Sequence, residues 1–171
     1  MHLGRYGICG NEAGGFDDPD GIFRQFPDTT AVLLTEAVST PTTPLEKMYD
    51  GLALLSELVA WHKMGRLRFS DESRALLIAT GRRFLKGDFL SSLPMQDTTG
   101  AYPFSRSDVL REAIVLAVAL DDPGLIEIVE ALASDADRVT ALGIPEEETK
   151  NTQETARRLL NWRPYMGISD C

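Results

Sequence analysis

The sequence predicts an all-α protein, a single domain in which five or six helices surround a buried central helix. The main observation is the stretch 109–120, VLREAIVLAVAL, whose last eight residues are all apolar. Helix start and stop signals also recur from Pro44 to Pro164. A length of 171 residues, with 43% hydrophobic and 25% charged residues, is typical of one globular domain.

The apolar stretch from Ala113 to Leu120 predicts the central helix. A helix that is apolar on every side must be surrounded by protein or by lipid. Crossing a bilayer takes about 20 apolar residues, so this run predicts a protein core and no membrane span. A buried strand is the alternative, but the absence of Gly and Pro inside the run favours a helix over about 107–121. Ser105 and Asp108 predict a capping box at its start.

Two helices are predicted before the central one. The first covers 44–64, where Gly51 indicates a close crossing with another helix and Gly65 indicates the end. The second begins after Ser70 and ends before Gly87. Its predicted core side consists of Ala75, Leu76, Ala79 and Phe84.

Two helices are predicted after the central one. A single helix begins at Pro123, capped by Asp122, and runs to about Leu142, where Gly143 and Pro145 form a strong stop signal. The last helix covers about Glu146 to Trp162.

The remaining segments are less regular. Residues 1–43 are expected to form an irregular, glycine-rich N-terminal arm packed on a helical domain of residues 44–171. Within the arm, 30–38 fits a helix or a strand, and a helix is preferred because the rest of the chain is helical. Residues 88–105 are expected to form a long loop with many apolar residues.

Charge is unevenly distributed along the chain. The net charge is −9 and the pI about 4.7, which argues against non-specific binding of nucleic acid or anionic lipid. Residues 63–86 hold seven basic and two acidic side chains, a net +5, whereas 121–154 hold two basic and ten acidic ones, a net −8. This polarity is the main functional clue in the sequence.

Two candidate binding faces follow from this polarity. The acidic candidate consists of Glu127, Glu130 and Asp137, on the predicted outer side of the 123–142 helix. The basic candidate consists of Arg66, Arg68, Arg74, Arg82, Arg83 and Lys86. The competing interpretations are a solvated surface for the acidic side chains and ordinary helix-end charges for the basic ones.

Little in the sequence predicts catalysis or metal binding. Cys9 lies in a glycine-rich segment, but a nucleophilic cysteine needs a base, and only His2 and His62 are available. His62 is expected to be a partly buried helix-end histidine. These residues and Cys171 lack the paired spacing of a zinc site, and the acidic segment 17–20 lacks a calcium-loop pattern. We therefore predict no catalytic residue, metal or cofactor.

The leading functional hypothesis is a non-catalytic, cytoplasmic interaction protein of the inhibitor, immunity or viral accessory type. Its protein partner is expected to be basic rather than acidic, for example a nucleic-acid-binding machine. Direct binding of nucleic acid is expected only if the 63–86 cluster mediates it. The alternatives are a small-molecule-binding helical domain with a pocket under loop 88–105, and an enzyme that uses Cys9 or the 17–20 carboxylates.

Overall fold

The computed structural model describes residues 21–98 and 102–165, and most of these residues are helical, which confirms the all-α fold. A two-stranded antiparallel ribbon pairs Gln96 with Ser105 and Asp97 with Phe104. The elements are α1 (Ile22–Gln25), α2 (Pro27–Ser39), α3 (Leu45–Lys63), α4 (Asp71–Leu85), α5 (Phe89–Ser92), β1 (Gln96–Asp97), β2 (Phe104–Ser105), α6 (Arg106–Leu120), α7 (Pro123–Ser134), α8 (Ala136–Ala141), α9 (Glu146–Trp162) and a final 3-10 turn (Arg163–Tyr165).

Helix α6 is the centre of the bundle, as predicted. Every residue from Glu112 to Leu120 is buried, and the helix packs against α3, α4, α7 and α9. The predicted capping box is present, because the Ser105 backbone N donates to Asp108 Oδ2 at 2.8 Å and the Asp108 N donates to Ser105 Oγ at 3.2 Å.

Helices α3, α6 and α9 run parallel. At their first residues, the Tyr49 and Phe104 rings lie 5.1 Å apart and the Ser107 hydroxyl donates to the Glu148 carboxylate. At the opposite end, Arg163 Nε after α9 lies 2.5 Å from Asp121 Oδ1 after α6. Lys63, the last residue of α3, is close enough to both to interact with them electrostatically. Three helix amino termini therefore lie at one end of the bundle, and three carboxyl termini at the other.

Helix α2 joins the bundle by packing on α3 and α4. The helical interpretation of 30–38 is confirmed, and residues 27–39 of the predicted arm are thus a regular helix. A methyl group on Gly51 would lie 2.5 Å from Val38 Cγ1. Glycine is therefore required for the close crossing of α2 and α3, as the sequence indicated.

The predicted core side of α4 is wrong in three of four positions. Ala75, Leu76 and Ala79 are exposed, and only Phe84 is buried. The inward side includes small polar residues whose hydroxyl groups have acceptors inside the protein: Thr80 donates to the Leu76 carbonyl at 2.8 Å. The buried residues of α4 are Ser73, Leu77, Thr80, Gly81, Phe84 and Leu85.

The predicted single helix over 123–142 is also corrected, because the chain leaves the helical conformation at Asp135. This residue has φ −125° and ψ 104°, and its carboxylate accepts a hydrogen bond from the Asp137 N at 3.0 Å. Asp135 therefore caps α8 separately from α7. Asp122 caps α7 as predicted, accepting from the Leu125 N at 3.2 Å.

A buried arginine fixes the start of α6 to two other segments. The Arg106 guanidinium is 8% exposed and donates to the carbonyl of Leu93, and at 2.7 Å to that of Gly143. Burial lowers the pKa of Arg106 from its ordinary value. The segment 88–105, expected to be a loop, contains α5 and both ribbon strands. Its Leu90 and Leu93 are buried.

A carboxylate on α2 fixes the start of α4. Asp28 Oδ1 accepts from the Ser70 N at 2.9 Å, the Ser70 hydroxyl at 3.0 Å and the Ser73 hydroxyl at 2.6 Å. Hydrogen bonds from Ser73 and Ser70 hold the pKa of Asp28 below its ordinary value of 3.8. The ionised carboxylate thus ties α2 to α4.

We expect Gly51→Ala to lower the free energy of unfolding by about 1–2 kcal/mol, because the overpacking cost exceeds the gain in helix propensity. Val38→Ala should lower it by about 2 kcal/mol by leaving a cavity. In the double variant the new methyl group occupies that cavity. The loss in free energy of unfolding should therefore be at least about 1 kcal/mol smaller than the sum of the losses in the two single variants. Denaturant unfolding measures all three; additive losses would contradict the crossing.

We expect Asp28→Asn to lower the melting temperature by about 2–4 °C at pH 7, the usual effect of losing a capping charge in a chain of this size. Because the folded pKa is lowered, the stabilisation is present above the unfolded pKa and is lost as the pH falls through the folded value. The difference between wild type and variant should therefore be constant from about pH 5 to 8 and shrink below about pH 4. A difference that persists at pH 2 would contradict the assigned role of the charge.

Candidate functional site

The acidic candidates are exposed on two consecutive helices. Glu127 and Glu130 are on α7 and Asp137 is on α8, and all three side chains are exposed. Within residues 21–98 and 102–165, none of the three forms an ion pair. We call these three residues, together with the exposed Glu146, Glu147 and Glu154 of α9, the acidic face.

The contribution of α9 to this face was not predicted. Glu146, Glu147 and Glu154 are exposed on α9, which packs against both α7 and α8. Gln153 Nε2 donates to the Leu132 carbonyl at 3.1 Å and so fixes α9 to α7. The sequence signal was the run of glutamates after Pro145, which indicated a helix start but not which neighbours the helix has.

The ten carboxylates of 121–154 divide into two groups. Six belong to the acidic face and have no hydrogen-bond or ion-pair partner among the residues that the structure describes. The other four stabilise the fold as helix caps or as partners of an arginine or serine: Asp121, Asp122, Asp135 and Glu148.

The basic candidates do not form one face. Arg74 Nη2 donates to the Leu120 carbonyl at 3.1 Å, at the carboxyl terminus of α6. Arg83 Nη2 donates to the Ser39 carbonyl at 3.3 Å, and its guanidinium lies 4.3 Å from the centre of the Phe89 ring. These two arginines therefore join elements of the fold.

The other four basic candidates are at two separate places. Arg66 and Arg68 are exposed in the connection between α3 and α4. Arg82 and Lys86 are exposed near the end of α4, where they line a groove. The basic cluster is thus divided, because the length of α4 separates Arg66 and Arg68 before its start from Arg82 and Lys86 at its end.

The groove lies between the end of α4 and α7, with α8 at one side, and has a volume of about 660 Å³. Its floor contains Leu85, Ile128, Leu132 and Leu142. Loop 88–105, under which a pocket was predicted, contributes only Asp88 to it. The charged residues at its rim are Arg82, Lys86, Asp88, Glu127 and Arg138.

The groove is where the acidic and basic candidates meet. Glu127 on α7 lies on the opposite wall from Arg82 on α4 and from Lys86 directly after that helix. No ion pair within 4.0 Å joins them in the described part of the chain. The two walls therefore present opposite charges that remain open to solvent or to a ligand.

His62 lies at the end of α3, as expected for a helix-end histidine. Its Nδ1 accepts a hydrogen bond from the Phe69 N at 3.1 Å, and its ring stacks on Phe69 with centroids 5.5 Å apart. His2, Cys9, Cys171 and the 17–20 carboxylates lie outside the described residues. Among the residues described, no three His, Cys, Asp or Glu side chains come together as a metal site.

Comparison of the chain with protein-family models, curated sequences and solved structures finds no significant match. Over the described ranges, none of the helices combines the length and the apolar character needed to cross a bilayer. The functional interpretation of the acidic face and the groove therefore follows from their geometry and charge alone.

Proposed function

We propose that this protein is a non-catalytic interaction protein whose acidic face binds a basic surface of a protein partner. The observation that carries the proposal is the set of six exposed carboxylates without internal partners on three packed helices. Like charges on one surface repel one another, so their accumulation lowers stability unless a cation neutralises them. A basic partner would supply that neutralisation.

The fold also supports a preorganised interface. Helices α7, α8 and α9 pack on one another and two of them pack on α6, so the face is held by rigid elements rather than by loops. A preorganised surface loses less conformational entropy when it binds. The net charge of −9 would in addition accelerate encounter with a basic partner.

An acidic partner is less well supported, because the basic candidates are divided. Arg74 and Arg83 are bound to backbone carbonyls, and Arg66 and Arg68 lie apart from Arg82 and Lys86. Nucleic acid requires a continuous basic surface. The divided basic residues and the exposed carboxylates together support a basic protein partner over an acidic one.

The test is charge reversal with a matched control. Glu130→Lys/Asp137→Lys changes the net charge by +4 on the acidic face and leaves Glu127, which also lines the groove, unchanged. Glu36→Lys/Asp50→Lys makes the same change on α2 and α3, where both residues are exposed. Wild type immobilised at low salt would be used to isolate a basic partner, whose binding kinetics are then measured with all three proteins.

We expect the acidic-face variant to associate about tenfold or more slowly, because complementary charge acts mainly on the association rate. The association rate of the control variant should fall less, because this variant changes only the net charge and not the acidic face. Association of wild type should slow as salt rises, since charges are screened beyond about 8 Å at physiological ionic strength. Equal rates for the two variants, or rates independent of salt, would reject the proposal.

A further inference from the structure

The groove between α4 and α7 combines an apolar floor with charged residues at its rim. We propose that it binds a small amphipathic monocarboxylate, with the apolar part on the floor and the carboxylate at Arg82 and Lys86. The groove shares Glu127 with the acidic face, but this inference does not depend on the protein partner proposed for that face. The ligand class is that of medium-length aliphatic or aromatic acids.

The floor provides the apolar half of the site. Leu85, Leu132 and Leu142 are the tops of core residues at 2–5% exposure, and Ile128 and Ala131 beside them are half-buried. Small-molecule sites usually have volumes of about 300–1,000 Å³ and a largely apolar lining, and 660 Å³ lies in this range. The groove is open along one side, so an amphiphile can bury its chain while its head group stays at the hydrated rim.

Two cations, Arg82 in the last turn of α4 and Lys86 directly after it, provide the polar half. Their side chains have no hydrogen bond or ion pair among the described residues, in contrast to those of Arg74 and Arg83 on α4. A methyl group on residue 124 would lie 3.1 Å from Arg82 Nη2 and 3.2 Å from Asp122 Oδ2. Gly124 thus makes room for the guanidinium across the first turn of α7, next to the carboxylate that caps this helix. Lys86 directly follows α4, and its backbone N donates to the Arg82 carbonyl at 2.9 Å. The two residues are therefore held close together, and both line the groove.

The rest of the rim selects a single negative charge. Glu127 and Asp88 would repel a polyanion such as a nucleotide, and Arg138 forms an ion pair with Asp135 at 3.5 Å. A cationic amphiphile would place its charge near Arg82 and Lys86, which would repel it. The rim therefore favours one carboxylate on an apolar body over a polyphosphate or an amine.

The probes are octanoate and octylammonium, which share a chain and differ in charge. Both are titrated into isotopically labelled protein at concentrations below micelle formation, and backbone amide signals are recorded. We expect octanoate to shift the signals of Gly87, Ala131 and Leu132 saturably, and octylammonium to bind at least about tenfold more weakly. Inorganic phosphate should not produce these shifts at comparable concentrations.

Variants assign the binding to the groove. Arg82→Gln/Lys86→Gln should weaken octanoate about tenfold or more, while Arg66→Gln/Arg68→Gln, with the same change in net charge, should not alter it. Ala131→Phe, which fills the floor without changing charge, should weaken both probes. Equal binding of the two probes, equal effects of the two double variants, or no saturable shift in the groove would overturn the assignment. Melting curves verify that each variant is folded.

Discussion

The burial of α6 is the constraint on which the rest of the structure depends. A helix whose last nine residues are all buried has no side that can face water, so neighbours are needed all round. Helices α3, α4, α7 and α9 supply them, and α2 then covers α3 and α4. The surrounding helices can be amphipathic because α6 supplies the apolar surface against which each of them packs. The groove and the acidic face are both formed on this outer layer.

The parallel alignment of α3, α6 and α9 accounts for much of the charge pattern. Aligned helix dipoles place partial positive charge at one end of the bundle and partial negative charge at the other. Asp97, whose carboxylate accepts from the Leu45 N at 3.3 Å, and Asp108 and Glu148 lie at the amino end, while Arg74 and Arg163 lie at the carboxyl end. Part of the polarity that the sequence presents as a functional clue is thus electrostatic compensation within the fold. The exposed carboxylates of the acidic face and the cations of the groove are what remains after this compensation.

The sequence predicted the features that depend on local chemistry. The caps formed by Ser105 with Asp108 and by Asp122 before Pro123 have a short-range cause, and both were confirmed. Gly51 indicated a close crossing through its local cost inside a helix, and that crossing was also confirmed, with α2 as the partner. The sequence misjudged α4, where the inner side carries Thr80 and Ser73 and the outer side carries Leu76, because hydroxyl groups can be buried once they bond to a carbonyl or to Asp28. The groove and the contribution of Glu146 and Glu154 could not be predicted, since both depend on which helices are neighbours. The binding of Arg74 and Arg83 to carbonyls of other elements has the same origin.

The two linkages made by Arg106 and Asp28 respond differently to acid. Arg106 remains protonated in proteins, and its acceptors are the neutral carbonyls of Leu93 and Gly143, so no titration step weakens this linkage. Asp28 holds Ser70 and Ser73 through a charge that disappears when the pH falls below its folded pKa. Acid should therefore remove the charge that joins α2 to α4, while both Arg106 hydrogen bonds persist. At low pH the central helix would thus keep an attachment to the turn that precedes α9 in which no acceptor can be titrated.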